Sequence, residues 1–583
     1  MDTVLSVQSR RQSLVAAGLW QDKTLLDYFR QWVAASPGKT AVVALRSSAE
    51  TRLSYSELDT LTNQIAVGLF RQGVGEGDVV SFQLPNWWQF TALHLACLKV
   101  GAISNPLMVI FRERELTFML GLAQSKVFVV PSEFRKVDHR ALAYAVKPSL
   151  PKLGRIYAID SGGDDDFSHL IAKDATPKEL AAVTSNYLSP DAIIQLLYTS
   201  GTTGEPKGVS HTSNTMLSNL TPFAERLHMG ANDVIHMPSP MAHQLGFMYG
   251  LVLPAMLGAT AVLQDVFEPA EMARQINTER ATWTMGATPF LTDLSDFCIT
   301  TKTATPSLKV FVSAGAPIPR PLVAKARGAL NAAIISAWGM SENGAVTTTR
   351  IEDPEDKVTG TDGCPLPGME VRVVDPDGKP VPSGAEGQLE VRGCSNFIGY
   401  MKRPGLAQVT EGGWFNTGDI ARMDADGYIR IAGRSKDIII RGGENIPVAE
   451  VENLLFQHPA VSSVAVVGYP DARLGERACA FVVPKAGTSL TFEEMTAYLR
   501  EQKMAVQYIP ERLQVVSDLP RTPSGKIQKF ELRKMATVPL SASPAAAAAA
   551  PSPAASSTAA PPEALPHRPV SGLASIWRRF LAR

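Results

Sequence analysis

The chain lacks most of the signals that would place it in a specialised class. Its 583 residues carry only five cysteines (Cys97, Cys298, Cys364, Cys394 and Cys479), dispersed and with no Cys-x-x-Cys pair. That argues against a disulfide framework or a cysteine zinc site and predicts reduced thiols in a cytoplasmic protein. Charge of one sign is not in excess: Lys plus Arg and Asp plus Glu number 56 each, so nucleic acid is not expected as a partner. Met1–Arg11 is polar and lacks the apolar stretch of a secretory signal, so none is expected. One uncharged run, Gly246–Leu263, approaches the length of a membrane span. Pro254 and three glycines interrupt it, and no Lys/Arg bias flanks it. It reads as a buried helix followed by a buried strand, and no integral membrane segment is expected. No internal repeat is visible.

What is present is a pattern of layers. Roughly the first 430 residues alternate helical and strand patterns with short turns, as in α/β proteins. Ser56–Arg71 places Leu58, Leu61, Ile65, Leu69 and Phe70 on one side of a helix. Val79–Leu84 and Ser125–Val130 read as short apolar strands, Gly387–Arg392 as a half-buried strand, and Asp424–Tyr428 as a hairpin turn. A second unit follows Gly433: helix Pro447–His458, strands Val461–Val467 and Ala478–Val483, and a helix over Thr491–Gln502. Thr491 and Glu494 there have capping-box spacing. The sequence thus predicts an N-terminal domain over 1–434 and a compact α+β domain over 435–536. Ala, Pro and Ser dominate 537–566, which predicts a disordered linker. In 567–583, Leu573, Ile576, Trp577, Phe580 and Leu581 fall at helical spacing. So short a helix needs something to fold against, such as a protein shell, a partner enzyme or a membrane surface; a dispensable tail is an equal alternative.

The densest chemical signal is Leu197–Val209. It packs four hydroxyls (Thr199, Ser200, Thr202, Thr203), three glycines (Gly201, Gly204, Gly208) and Lys207 into one short stretch. Small residues let backbone approach a ligand, and hydroxyls with successive N–H groups form an anion cradle. The stretch has no Gly-Lys-Ser/Thr after the four-residue gap of a Walker A loop, which points away from γ-phosphate transfer. Further along, Ser336–Glu342 offers a ring able to stack on a purine and a carboxylate able to hold Mg²⁺. Trp414–Asp419 ends in an Asp suited to accept from two ribose hydroxyls. Pro520–Lys529 presents Lys526 after Gly525. Singly, each has an ordinary reading as a turn, a packing ring or a solvated lysine. Their occurrence in one order between Thr199 and Lys526 overrides those readings.

Together with Gly433–Asp437, these segments resemble the core motifs of the adenylate-forming superfamily: acyl- and aryl-CoA synthetases, non-ribosomal adenylation domains and beetle luciferases. The resemblance covers residues 10–537. Asp437–Ile446 and Leu519–Lys526 look like acyl-CoA synthetases. Leu84–Trp88, Met285–Phe290 and Lys526–Phe530 look most like medium-chain fatty acid and cyclohexanecarboxylate CoA ligases. The resemblance implies an α/β fold: a large domain of layered α/β subdomains plus a β-subdomain, then a small mobile α+β domain with its hinge at Lys436. It implies an ATP-dependent acid:CoA ligase making acyl-CoA, AMP and pyrophosphate through an acyl-adenylate, with Mg²⁺ and coenzyme A. Lys526 would neutralise charge during adenylation, and His243 would sit beside the acyl carboxylate. Thr199–Lys207 would hold the β and γ phosphates. Gly315 and Ala316 would line one face of adenine and Trp338 the other, within the nucleotide segment Trp338, Gly339, Met340, Ser341. Glu342 would bind the metal. Asp419 and Arg434 would hold the ribose, and Gly442, Gly443 and Glu444 the pantetheine arm. Trp stands at 338 where Tyr is commoner, which would forfeit the phenol's hydrogen bond.

The same resemblance implies an acyl pocket lined by Met237, Phe247, Trp283, Met285, Thr288 and Phe290, with His243 and Met340 nearby. These residues are mostly apolar, with no base for a second carboxylate and no Asp for an amino group, which argues against diacids and amino acids. Medium-chain or alicyclic acids are expected, with tolerance for neighbours, since one methylene changes discrimination by only ~1–3 kcal/mol. Two alternatives stay open: transfer to a carrier-protein pantetheine instead of free CoA, and a nucleotide-binding scaffold without turnover.

Overall fold

A computed structural model describes residues 7–46, 49–185, 188–199, 206–315, 318–407, 409–410, 412–434, 439–441, 444–471, 473–502, 504, 506–522 and 525–537. Ser200, Gly201, Thr202, Thr203, Gly204, Ala316, Lys436, Gly442, Gly443 and the tail from 538 lie outside the described residues; for Arg434 and Glu444 only the backbone is described.

Short apolar strands buried on both faces need helices above and below, which is the setting of parallel sheets. Two such sheets form. One has nine strands. Its middle runs Ala333–Met340, Val310–Ala314, Trp283–Gly286, Val234–Met237, Thr260–Gln264, Thr40–Arg46, all parallel neighbours. The other has seven strands and carries Val79–Phe82 in its interior, between Ile103–Pro106 and Val127–Pro131. The helix Tyr55–Arg71 starts at Ser54, whose side chain accepts from Glu57 N while Glu57 reaches back to the cap N–H. It buries Leu58, Ile65 and Leu69 in the large core and leaves Phe70 half exposed.

The run Gly246–Leu263 resolves as read. A short helix Gln244–Phe247 passes through a π-type turn, Met248–Val252, into Leu253–Leu257, and Thr260–Gln264 is then a central strand. Gly258, at φ +71°, ends the helix against the Trp32 ring, where a Cβ would fall 2.2 Å from the ring carbon Cδ2. Among the described residues no helix is long and apolar enough to cross a membrane.

A four-stranded antiparallel sheet follows, built from Met369–Val374, Glu386–Gly393, Phe415–Met423 and Ile429–Arg434. The last two strands form the hairpin expected at Asp424–Tyr428, where Asp424 N bonds Tyr428 O. The final layer is a five-stranded sheet with Val461–Asp471 and Gly475–Pro484 at its heart. It has its own apolar clusters, one around Val451, Leu455, Val466 and Leu499, the other around Phe481 and Leu532. The helix Phe492–Glu501 has the expected capping box from Thr491 and Glu494. Phe456, on the helix Val448–Gln457, packs against this small core and also against the cluster around Phe290.

Four histidines, His94, His139, His211 and His236, are buried from water, and His243 is partly buried. Burial pushes His94 down to about 3 and His139, His211, His236 and His243 to about 4. In the unfolded chain they take up protons below about pH 6.5, whereas in the native state they stay neutral to about pH 4. The unfolded state therefore binds more protons in that window, and stability falls as pH drops through it, with up to about 1.4 kcal/mol per pH unit from each group. The thermal midpoint should be flat near pH 7–8 and begin falling by pH 6, above the carboxylate range. A midpoint constant down to pH 5 would contradict this.

Candidate active site

The phosphate-loop stretch is the mouth of a hairpin. Ile193–Thr199 pairs antiparallel with Lys207–Thr212, with Thr199 opposite Lys207 and Tyr198 opposite Gly208. A Cβ at Gly208 would fall 2.8 Å from Leu196 Cδ1, so that side chain would have to shift. The hairpin continues to Gly399–Tyr400, where Val209 pairs with Tyr400. Tyr400 is the residue that sequence reasoning missed. Its ring centroid lies 4.8 Å from Lys207 Nζ, and its hydroxyl donates to Glu342 Oε1 at 2.7 Å. Burial and the Glu342 charge raise the phenol well above its ordinary range, so it remains a donor. Lys207 and Glu342 are thus joined through one ring. The only local signal was a Gly-Tyr dipeptide, which is uninformative without the strand pairing.

Glu342 is itself nearly buried in the turn between Ala333–Met340 and Gly344–Thr348. Asn343 Oδ1 accepts from Met340 N at 3.0 Å. Phe397 N bonds Glu342 O at 2.6 Å. His211 Nε2 lies 2.7 Å from Ser341 O; a carbonyl only accepts, so this ring nitrogen carries the proton. Asn219 donates to Asn343 O and Ala345 O at 3.1 and 2.6 Å. The turn carrying Ser341 and Glu342 is therefore pinned from several elements at once.

Trp338 is buried on the strand leading into that turn, and its indole N–H donates to Asp419 Oδ2 at 2.9 Å. The tryptophan that replaces the commoner tyrosine keeps a polar contact of its own. Asp419 follows Gly418 (φ +74°) and donates its N–H to Thr417 Oγ1 at 3.1 Å. Arg434 stands opposite it as the strand-register partner. Gly315 is exposed at φ +81°.

His243 caps the helix Gln244–Phe247, with Nδ1 accepting from Leu245 N at 3.3 Å. Its pKa of about 4 comes from burial first and then from the positive charge of Lys526, so the ring is neutral at physiological pH. Lys526 stands on a tight turn: Thr522 N bonds Lys526 O at 2.7 Å and Gly525 N bonds Thr522 O at 2.8 Å. Gly525, at φ +83°, lies against the strand-to-helix corner of the large sheet. A Cβ there would meet Ala287 Cβ at 3.2 Å and Pro289 Cγ at 3.4 Å. Lys529 Nζ pairs with Glu452 at 2.7 Å and ties the base of the turn to the small core. The small sheet is thus docked with Lys526 on the His243 side of the large sheet.

Behind His243 is an apolar wall. Met237, Phe247, Trp283 and Met285 are buried in one cluster. Phe247 meets His94 edge-on at 4.8 Å, and Trp283 meets Phe223 edge-on at 6.0 Å. Phe290 does not join them: it stacks on Phe267 at 4.2 Å in the separate cluster that Phe456 covers. Thr288 lies between, nearly buried at the start of its helix. Asn86, in the segment Leu84–Trp88, holds the loop leading to His243. It donates to Ser239 O and Gln264 O at 2.8 and 3.0 Å and accepts from Met241 N at 2.7 Å.

Known proteins are similar to this chain in sequence and fold. The chain is 39% identical over 534 residues to the medium-chain fatty-acid–CoA ligase of Escherichia coli K12, covering 90% of this chain and 93% of that one. It is 32% identical to a salicylyl-CoA synthase / salicylate adenylyltransferase of a Streptomyces species, over 89% and 94% of the two chains. Among solved structures, an anthranilate CoA ligase (AuaEII) in complex with anthranoyl-AMP superposes with a TM-score of 0.78 at 26% identity, covering 88% of this chain and 98% of that one. The family described as AMP-binding enzyme matches residues 29–401, and its C-terminal domain matches 450–526. With a fold of one large and one small α/β part and both family segments in order, this chain belongs to the AMP-binding enzymes, the adenylate-forming superfamily.

Proposed function

We propose that this AMP-forming acid–thiol ligase activates medium-chain fatty or alicyclic acids and passes them to coenzyme A. The observation that carries the reading is the Lys526 turn packed against Ala287 and Pro289, close enough to His243 to lower its pKa, with an uncharged apolar wall behind. In the first half-reaction a carboxylate oxygen attacks the α-phosphorus, the bond to the β-phosphate oxygen breaks, and pyrophosphate leaves. Lys526 offsets the negative charge of carboxylate and α-phosphate as they approach. His243, neutral, can donate from Nε2 without adding a charge. Thr199, Lys207 and the loop between them hold the β and γ phosphates, Trp338 faces adenine, and Asp419 with Arg434 holds the ribose. In the second half-reaction the CoA sulfur attacks the acyl carbon and the bond to AMP breaks; Gly442, Gly443 and Glu444 are assigned to the pantetheine arm. For this step the small domain turns about Lys436.

The donor set suits Mg²⁺. Among the described residues no cluster of three or more His, Cys, Asp or Glu is arranged for a metal, and Glu342 supplies a single nearly buried carboxylate. Mg²⁺ keeps several waters and takes most other ligands from phosphates, so one carboxylate is the expected protein share. Bound there, it would neutralise charge on the phosphate oxygens.

The acid is the finer question, because similar proteins are named for both fatty and aromatic acids. The wall of Met237, Phe247 and Met285 is apolar, which favours aliphatic acids; the indole N–H of Trp283, buried without a partner, is the group in the wall able to bond a ring hydroxyl. The test is a panel of acetate, hexanoate, octanoate, cyclohexanecarboxylate, benzoate, salicylate and an amino acid with ATP, Mg²⁺ and CoA, read as AMP and thioester. Octanoate, hexanoate or cyclohexanecarboxylate should lead in kcat/KM. Preference for acetate, an amino acid or salicylate by orders of magnitude would overturn the reading.

A further inference from the structure

We propose that Tyr400 is a positioning residue for the metal carboxylate: its phenol O–H fixes the orientation of Glu342, so that a divalent cation arriving with the nucleotide meets a preset oxygen. This rests on the assignment of Glu342 to Mg²⁺.

The two residues are 58 apart in sequence. Glu342 stands in a turn of the nine-stranded sheet, and Tyr400 on the edge strand of the seven-stranded one. Both are 6% exposed, so water competes little for the 2.7 Å bond between them. The backbone of Tyr400 is locked to the phosphate-loop hairpin. Val209 is its strand partner, Ile398 N bonds Ser210 O at 3.1 Å, and Met401 N bonds Gly208 O at 2.8 Å. Phe397 N bonds Glu342 O at 2.6 Å, so the same segment also grips the backbone of the glutamate. The Phe397 ring meets the Tyr400 ring edge-on at 4.8 Å. A phenol on so fixed a backbone has little freedom, whereas Glu342 turns about three side-chain torsions, and the phenol is a donor that selects among them. A carboxylate has about four lone-pair sites, so the bond to Oε1 leaves sites for a cation. Carboxylates that ligate metals are ordinarily held by such outer hydrogen bonds, and losing one weakens the metal. Lys207 Nζ lies 4.8 Å from the centroid of the same ring, within the range at which a cation is drawn to an aromatic ring. One rigid ring therefore sets the spacing between the lysine assigned to the phosphates and the carboxylate assigned to the metal. A phenylalanine at 400 would keep the ring, its packing on Phe397 and its contact with Lys207, and lose only the donor.

The experiment is a ratio of two dissociation constants for α,β-methylene-ATP, whose bridge cannot be cleaved: that in EDTA over that in saturating Mg²⁺, measured calorimetrically. It compares the full-length protein, Tyr400→Phe, Glu342→Gln and the double variant, and reads the metal contact without turnover. The ratio should fall in Glu342→Gln. In Tyr400→Phe it should fall about tenfold, the lower end of what an outer hydrogen bond contributes to metal affinity, with the affinity in EDTA unchanged. The double variant should match Glu342→Gln, because the phenol acts through that carboxylate. A merely structural loss would weaken binding in EDTA and in Mg²⁺ alike and leave the ratio where it was. An unchanged ratio in Tyr400→Phe, with a lowered one in Glu342→Gln, overturns the proposal and leaves the metal assignment standing. An unchanged ratio in Glu342→Gln overturns both. A further fall in the double variant overturns the proposal as well, since the phenol would then act by a route other than Glu342. If Tyr400→Phe does not fold, 4-methylphenylalanine incorporated at position 400 fills the space of the hydroxyl without a donor and gives the same comparison.

Discussion

Lys526→Ala is expected to slow acid-dependent exchange of pyrophosphate into ATP by about 10²–10³-fold, the usual consequence of deleting one preorganised group that stabilises transition-state charge. Stability should hardly change. The side chain is exposed, and the turn beneath it is kept by backbone bonds between Thr522, Gly525 and Lys526 and by the Lys529–Glu452 pair, none of which needs the ammonium. Thioester formation from synthetic acyl-adenylate should stay within about tenfold of the parent, because that step has no carboxylate–phosphate repulsion to relieve. Lys526→Arg should rescue poorly, since a planar guanidinium does not replace a compact ammonium at such a site. A second readout is independent of turnover: without the cation, the titration of His243 should rise from about 4, though burial, the larger cause, will keep it below the ordinary value. Exchange at the parent rate in Lys526→Ala would remove Lys526 from the chemistry.

The parts of the fold around the candidate site that were legible have local signals. Thr199 and Lys207 are strand partners at the two ends of one short stretch, while the Gly, Ser and Thr residues between them lie outside the described residues. Local signals also define the period of the helix Tyr55–Arg71, though Phe70 falls on its exposed side, and the broken helix and strand within Gly246–Leu263: period and breaker lie within the element. What escaped was non-local. Tyr400 reaches Glu342 only because Gly399–Tyr400 adds to the edge of the phosphate-loop hairpin. The contact from Trp338 to Asp419 depends on how two sheets meet. Phe290 shares a motif with Met285, but the chain turns into a helix at Thr288 and carries the ring to Phe267 and Phe456. The strand order of the nine-stranded sheet likewise interleaves Thr40–Arg46 with strands more than two hundred residues later, which no short pattern encodes.

Gly339→Ala should be the most damaging single methyl in the proposed nucleotide site. A Cβ on Gly339 falls 1.9 Å from Gly344 O, 2.7 Å from Gly344 C and 2.8 Å from Ala345 Cα. All three are backbone, so no rotamer change relieves the clash; one strand of the hairpin must move. The register shift between Trp338 and Gly339 brings Gly339 opposite Ala345 and Met340 opposite Gly344, so the displaced strand is the one leaving the Glu342 turn. That strand is held elsewhere: Asn219 bonds Ala345 O and Asn343 O, and Ala345 N donates to the Tyr249 hydroxyl at 2.8 Å. Relief by moving Gly344 breaks these buried bonds, while relief by moving Gly339 drags Trp338 away from Asp419. Overpacking ordinarily costs about 1–3 kcal/mol and more where backbone must shift, and each buried polar group left unpaired adds about 1–3 kcal/mol. The expected result is a loss of AMP affinity by about 10²-fold or more, measured calorimetrically, with a lower thermal midpoint. Gly315→Ala makes the contrast, because a Cβ there meets nothing within 4 Å and its cost is confined to backbone strain at φ +81°, on the order of 1 kcal/mol. If Gly339→Ala binds AMP like the parent protein, the hairpin is not the rigid support proposed for the adenine.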